Sequence, residues 1–402
     1  METLIASRCI DRHTHPSLYA ALDGCPNLSG LDRADALALL RALPGDRLTT
    51  VLGWHSGRLP FQEADLERLP PAILVNFSLH GLTLTAAGRV LVAKKDPELA
   101  QRYPDAQWCE RNMPRLLATY AATAGLSEEK LDVFMQGLMD QGIEAVEDML
   151  LWGEDAWRVM STSRWAGRMR FWSAPEVYRS LPAEAQAEAL GLKLFLDGAL
   201  GSRTAALSGE YRSGTRGLLL HSDAALCEHL TQLHSLGKPL AIHAIGDLAI
   251  EQGLSALEKL NRAGLPLGVV RLEHVQFITE AQGRRARELG LSLSMQPNFN
   301  GDSVDYGDRL DPAWLQRNNP FRMLIDRCGF VPGRDLVFGS DGMPHGIECA
   351  LQRSLFPAFP GQRLSVGELL AGYGARVQDD GPVRATLDEA RRSVSVAHSG
   401  AE

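Results

Sequence analysis

Cysteine is scarce. The six residues, Cys9, Cys25, Cys109, Cys227, Cys328 and Cys349, lie far apart and never form a C-x-x-C pair. This argues against a disulfide framework and a thiolate zinc site, and points to reduced thiols in a cytoplasmic chain. No apolar run approaches the roughly 18 residues of a membrane span, and no charged-then-apolar leader opens the chain, so neither anchoring nor export is expected. A basic excess is also missing: 41 Lys and Arg against 49 Asp and Glu give a net charge of −8, which disfavours nucleic acid and anionic membranes as partners. Internal repeats and low-complexity tracts are absent. What remains is a globular composition, 45% hydrophobic and 22% charged over 402 residues, able to bury a large core and suited to a small-molecule ligand.

Eight short β-rich runs, at residues 4–11, 142–147, 168–172, 191–197, 239–243, 269–273, 291–295 and 335–339, alternate with stretches of 3.6-residue apolar spacing such as 222–236, 247–263 and 279–289. Strand then helix, eight times, predicts an α/β fold, a (β/α)8 TIM-like barrel over residues 1–376; a doubly wound open sheet shares the local pattern. About 130 residues separate the first two runs. Their first part, 16–110, reads as an insertion or lid over the site, and helices are expected at 113–124 and 127–141. Residues 377–402 are polar and charged and are expected to fray.

His13-Thr14-His15 follows the first run, and residues i and i+2 of an extended segment face the same side, so both imidazoles can reach one ion. His243, His274 and Asp341 end the fifth, sixth and eighth runs, at the face where barrels carry their chemistry. Taken singly, each is as readily a structural residue; in register they read as metal ligands. Nitrogen and carboxylate donors without cysteine suit Zn²⁺, with Fe²⁺, Mn²⁺, Co²⁺ and Ni²⁺ as alternatives. Lys193, inside the apolar fourth run, is costly to bury as a cation. Either it pairs with Asp197 or Asp341, or burial lowers its pKa until the neutral amine takes up CO₂ as a carbamate bridging two cations. Arg203 and Tyr211, in the loop after the fourth run, and His80, in the insertion, are weaker candidates for binding substrate.

The order of these residues resembles the amidohydrolase superfamily, and within it amidohydrolase family 3, the N-substituted formamide deformylase-like branch. The resemblance rests on Lys-Leu-Phe-Leu-Asp-Gly-Ala-Leu-Gly-Ser-Arg-Thr-Ala-Ala-Leu (193–207), His-Ala-Ile-Gly-Asp (243–247), Arg-Leu-Glu-His-Val-Gln (271–276), Met-Gln-Pro (295–297) and Gly-Ser-Asp-Gly-Met-Pro (339–344). In the insertion, Gly-Trp-His (53–55) and Ser-Leu-His-Gly (78–81) match as well. It implies that His13, His15 and Asp341 hold one metal, that His243 and His274 hold another, and that carbamylated Lys193 bridges the two. It further implies that a metal-bound hydroxide attacks a carbonyl while Asp341 acts as general base and then acid. The family's small β-sandwich is expected to be mostly missing, leaving stability to depend on a homo-oligomer or a partner.

The function so implied is hydrolysis of an amide, N-formyl, ureide or cyclic amide bond. Lactone or ester hydrolysis suits the same ligands. A mononuclear heterocycle deaminase is disfavoured because Asp247, and no Glu, follows His243. A non-catalytic binding barrel would be expected to have lost at least one of the six ligands, and none is lost.

Overall fold

A computed structural model describes residues 2–398 apart from 56, 77, 78, 267 and 343. Ser78 and Met343, each within a motif quoted above, lie outside the described residues, as do the last four residues of the tail. The chain divides into two compact units: Met1–Pro16, Asp132–Leu151 and Met160–Glu402 form one, and Ser17–Leu131 with Trp152–Val159 form the other.

The first unit is built on eight parallel strands. Numbered in chain order with the others, they are β2 (Cys9–Thr14), β6 (Ile143–Asp148), β7 (Met169–Ser173), β8 (Gly191–Phe195), β9 (Leu240–Ala244), β10 (Val270–His274), β11 (Ser292–Met295) and β12 (Leu336–Phe338). They pair in sequence order from β2 round to β12, as a TIM-like barrel requires. The strands are buried on both sides, and Leu240 to Ala244 has no exposed residue, which is why they read as near-continuous apolar runs. Helices return the chain between strands and bury one stripe each. The helix Asp247–Arg262 buries Ala249, Ile250, Gly253, Leu254, Leu257 and Leu260 at three- and four-residue spacing. The helix Glu280–Glu288 starts at a Thr279/Gln282 capping box.

The run expected at 4–11 is two strands. β1 (Glu2–Ala6) leaves the barrel and joins β13 (Val383–Asp388) and β14 (Ser393–His398) in a three-stranded antiparallel sheet. The frayed tail expected from residue 377 is therefore corrected: β13 lies between β1 and β14, and Val383, Ala385 and Leu387 alternate inward and are buried. The alternation of these residues with Arg384 and Thr386 is the pattern of a half-buried strand and was overlooked in so polar a segment. Gln352 and Glu348 accept hydrogen bonds from Val394 N and Val396 N on β14, both at 2.8 Å, which occupies donors that would otherwise template aggregation.

The second unit holds β3 (Thr49–Trp54), β4 (Ala72–Asn76) and β5 (Leu82–Leu84) in one sheet. Its core includes Leu37, Leu40, Val51, Leu59 and Leu74. It reaches further than the 16–110 insertion, to residue 131, and takes in 152–159. The helix Met113–Ala124 lies as the spacing predicts, and the next runs Glu128–Asp140. Among the described residues, no helix is long and apolar enough to cross a membrane.

Candidate metal centre

His13 and His15 leave β2 on one side. Their ring centroids are 5.7 Å apart, and ligand atoms of His13, His15 and Asp341 all lie within 4.8 Å of one another. His15 Nε2 is 3.0 Å and His13 Nε2 3.5 Å from Asp341 Oδ1. Asp341 is brought there by a left-handed backbone, φ 57°, and by its own N–H donating to His13 O at 2.5 Å.

The rings continue from His13 to His274 (centroids 4.7 Å apart) and on to His243 (4.5 Å). His274 would face away from Glu273 under plain strand alternation. Positive φ at His274 (71°) and at Val275 (42°) turns the strand end so that both side chains reach His13.

Each of three histidines has one ring nitrogen already engaged. His13 Nδ1 is 2.5 Å from Glu273 Oε2, His274 Nδ1 is 2.8 Å from Gln296 Oε1, and His243 Nε2 is 3.1 Å from Gly198 O. A nitrogen held as N–H donor leaves the other nitrogen with its lone pair for an ion. Burial, reinforced by Lys193, lowers His13 to about 4, and burial together with its histidine neighbours holds His274 well below the ordinary value. Both rings are thus neutral, as ligation requires. Burial would raise Asp341, but the contact with His15 and the nearby His13 and His274 hold it well below the ordinary aspartate value.

Lys193 is fully enclosed, and its Nζ has no hydrogen-bond partner among the described residues. Burial lowers it to about 8 against the pull of Glu273 and Asp341. Of the two acids it could pair with, Asp197 is taken up by Ala206 N, Ile245 N and Gly246 N at 2.8–3.0 Å, and Asp341 acts on the Lys193 charge without a hydrogen bond to it. A buried amine near neutrality, its Nζ without a hydrogen bond among the described residues and 5.4 Å from the Phe195 ring, beside a nitrogen and carboxylate donor set, fits a divalent-cation centre.

The more peripheral candidates fare differently. Tyr211 is buried, packs with Leu207, Phe277 and Leu310, and its hydroxyl donates to Ala205 O at 3.0 Å, so its donor is engaged within the loop's own core. Arg203 is half exposed and turns toward Asp308 at 3.9 Å. His80 belongs to the second unit, with Nδ1 3.0 Å from Glu110.

Arg271, Glu273 and Gln296 stand within the quoted motifs but were given no role in the sequence reading, and Glu147 and Asp11 were not singled out. The signal was available for two of them. Arg271 and Glu273 are charged residues two apart in an otherwise apolar run, and the cost argument that singled out Lys193 applies equally to them.

A family model described as "Amidohydrolase family" matches residues 108–347, more than half the chain. The chain belongs to the amidohydrolase family. This amidohydrolase is 37% identical over 139 residues to "Putative amidohydrolase YtcJ" of Bacillus subtilis (strain 168), a stretch that is 34% of this chain and 26% of that protein. It is 30% identical over 116 residues to the N-substituted formamide deformylase of Arthrobacter pascens, 27% of this chain and 21% of that one. The matched stretches thus span about a quarter or less of these curated relatives. Over the fold, the amidohydrolase resembles the crystal structure of an uncharacterized metal-dependent hydrolase from Pyrococcus furiosus, with a TM-score of 0.66 at 22% identity, covering 91% of this chain and 80% of that one.

Proposed function

We propose that this amidohydrolase is a metal-dependent hydrolase that cleaves the carbon–nitrogen bond of an amide, N-formyl, ureide or cyclic amide small molecule. The observation that carries this reading is the convergence of His13, His15 and Asp341 together with a buried Lys193 whose Nζ makes no hydrogen bond among the described residues. His13, His15 and Asp341 would hold one divalent ion and His243 and His274 a second, with Lys193 as a bridging carbamate; Zn²⁺ suits the donors. When bound, such an ion brings the pKa of a coordinated water toward neutrality and polarises a carbonyl oxygen.

The chain's own groups supply the rest. Asp341, ionised and in reach of the histidines, accepts the proton of the attacking water at a carboxylate oxygen. It returns that proton to the leaving nitrogen as the C–N bond breaks. Heterocycle deamination needs a free acid after the fifth barrel strand. Asp247 is not free: Ser208 N and Ser208 Oγ donate to its two oxygens at 2.8 and 2.5 Å.

The test is metal content by elemental analysis of protein grown with divalent metal and bicarbonate, wild type beside Lys193→Ala, followed by a panel of N-formyl, ureide, cyclic amide and ester substrates. Two ions falling to one or none in the variant, with turnover of a C–N substrate, is the expected result. One ion in both proteins removes the bridge. No ion in the wild type overturns the hydrolase reading.

A further inference from the structure

Of the residues touching the candidate ligands, Glu273 stands apart. His274 rests on a neutral acceptor, the Gln296 amide, and His243 Nε2 lies 3.1 Å from the Gly198 carbonyl with the Asp197 carboxylate further off at 3.4 Å, whereas His13 Nδ1 meets a carboxylate directly at 2.5 Å. That carboxylate has no freedom to turn. Its Oε1 accepts from Arg271 Nε at 2.5 Å while Oε2 meets His13 Nδ1. Arg271 Nη1 donates to Glu147 Oε2 at 2.8 Å and Nη2 to Arg12 O at 3.1 Å, and its guanidinium lies 4.9 Å from the Trp172 ring. Glu147 also accepts from Trp172 Nε1 and Arg12 Nη1, both at 3.0 Å. Two carboxylates are thus matched by two guanidiniums, from strands β2, β6 and β10, so the chain of contacts adds no net charge. Replacing all of it with apolar side chains would be no worse for stability, so the arrangement calls for a role beyond holding the barrel together.

We propose that Glu273 is a positioning residue. Clamped by the Arg271–Glu147 pair, it holds His13 as the Nδ1–H tautomer with Nε2 presented to the metal centre. The inference rests on the metal-binding reading above. It goes beyond that reading by ranking two of the ligands: His13, on an anionic acceptor at 2.5 Å, is a stronger nitrogen donor than His274 on the Gln296 amide, because a carboxylate raises the basicity of the imidazole it holds and a neutral amide does so less.

The experiment measures Zn²⁺ affinity by competition with a chromophoric chelator, and the visible spectrum of the Co²⁺ form, for wild type, Glu273→Gln and Arg271→Met. The expected result is a loss of about 10–100-fold in Zn²⁺ affinity for Glu273→Gln, with an altered Co²⁺ spectrum in protein that still unfolds cooperatively. Arg271→Met, which touches no ligand, is expected to lose affinity in the same direction. A purely structural role would lower the melting temperature and leave both metal readouts at wild-type values, and that outcome overturns the proposal. Histidine ¹⁵N NMR of the metal-free protein reads the tautomer directly: a ring fixed as Nδ1–H, missing from the spectrum of His13→Asn, is expected, and an Nε2–H tautomer at His13 overturns the idea. Wild type that binds no Zn²⁺ takes down the metal reading and this inference together. Tight wild-type binding with unaffected variants takes down this inference alone.

Discussion

Ser340 Oγ donates to Asp11 Oδ2 at 2.5 Å, and Ser340 N donates to Asp11 Oδ1 at 3.0 Å. These bonds join the first barrel strand to the segment after the last, across the seam where β2 and β12 share no ladder among the described residues. Asp11 also accepts from His13 N at 3.1 Å, so closure of the barrel and placement of the first candidate ligand depend on one buried carboxyl group.

Gly339 lies against this seam. A Cβ there would stand 2.3 Å from His13 N and 2.7 Å from Asp11 Oδ1. Backbone cannot yield that far, so Gly339→Ala is expected to melt at lower temperature and to bind less metal. Gly137→Ala is the contrasting case. It sits inside the helix Glu128–Asp140 with nothing within 4 Å of the new methyl, and helix propensity favours alanine by up to about 1 kcal/mol. Thermal melts of both variants check the pair; a stable, metal-replete Gly339→Ala would show the seam to be slack.

Tyr211→Phe separates a structural hydroxyl from a substrate-binding one. The hydroxyl donates to Ala205 O inside a buried cluster, so its removal is expected to cost about 1 kcal/mol of stability and to leave KM unchanged. Denaturant melts alongside KM on the first substrate found make the comparison. A raised KM at unchanged stability would return Tyr211 to the binding site.

Asp302 gives stability a pH dependence. Burial raises its pKa from 3.8 to about 7 despite a hydrogen bond from Gln276. The folded protein therefore holds this proton more tightly than the unfolded chain does. The resulting stability is fully present below about pH 4 and is lost as pH rises to about 7, beyond which it levels off. Asp302→Asn, which keeps an acceptor for Gln276, should gain on wild type steadily across that window. Melting temperatures at pH 4, 5.5 and 7.5 read the difference; a constant gap between the two proteins would contradict the assignment.

Deleting residues 383–398 tests the terminal sheet. The hairpin buries Val383 and Ala385 fully and Leu387 nearly so, and covers Leu4 and Ala6 of β1. Each large apolar side chain so buried contributes about 1.5–3 kcal/mol, so the deletion is expected to lower the yield of folded protein and its melting temperature sharply. An unchanged melt would make the hairpin an appendage.

Much of this molecule was legible in its sequence. Parallel barrel strands are buried on both faces, so each appears as a short apolar run, and seven of the eight were placed within a few residues. His13 and His15 were legible together because their spacing of two matches the period of an extended strand. Lys193 stood out as a charge in an apolar run. The β1–β13–β14 sheet was not legible, because β1 and β13 are more than 370 residues apart and nothing local to either names its partner. Nor was the role of Tyr211, whose hydroxyl meets a backbone carbonyl that only the loop's path brings near. The sequence alone thus determined which residues could form strands and which could serve as ligands, since periodicity and the cost of burying charge are local properties. Which nitrogen each of His13, His243 and His274 presents, how Asp341 and His274 turn through left-handed backbone, and that Lys193 Nζ makes no hydrogen bond among the described residues were decided by tertiary structure, because each depends on contacts between strands that the chain order does not specify.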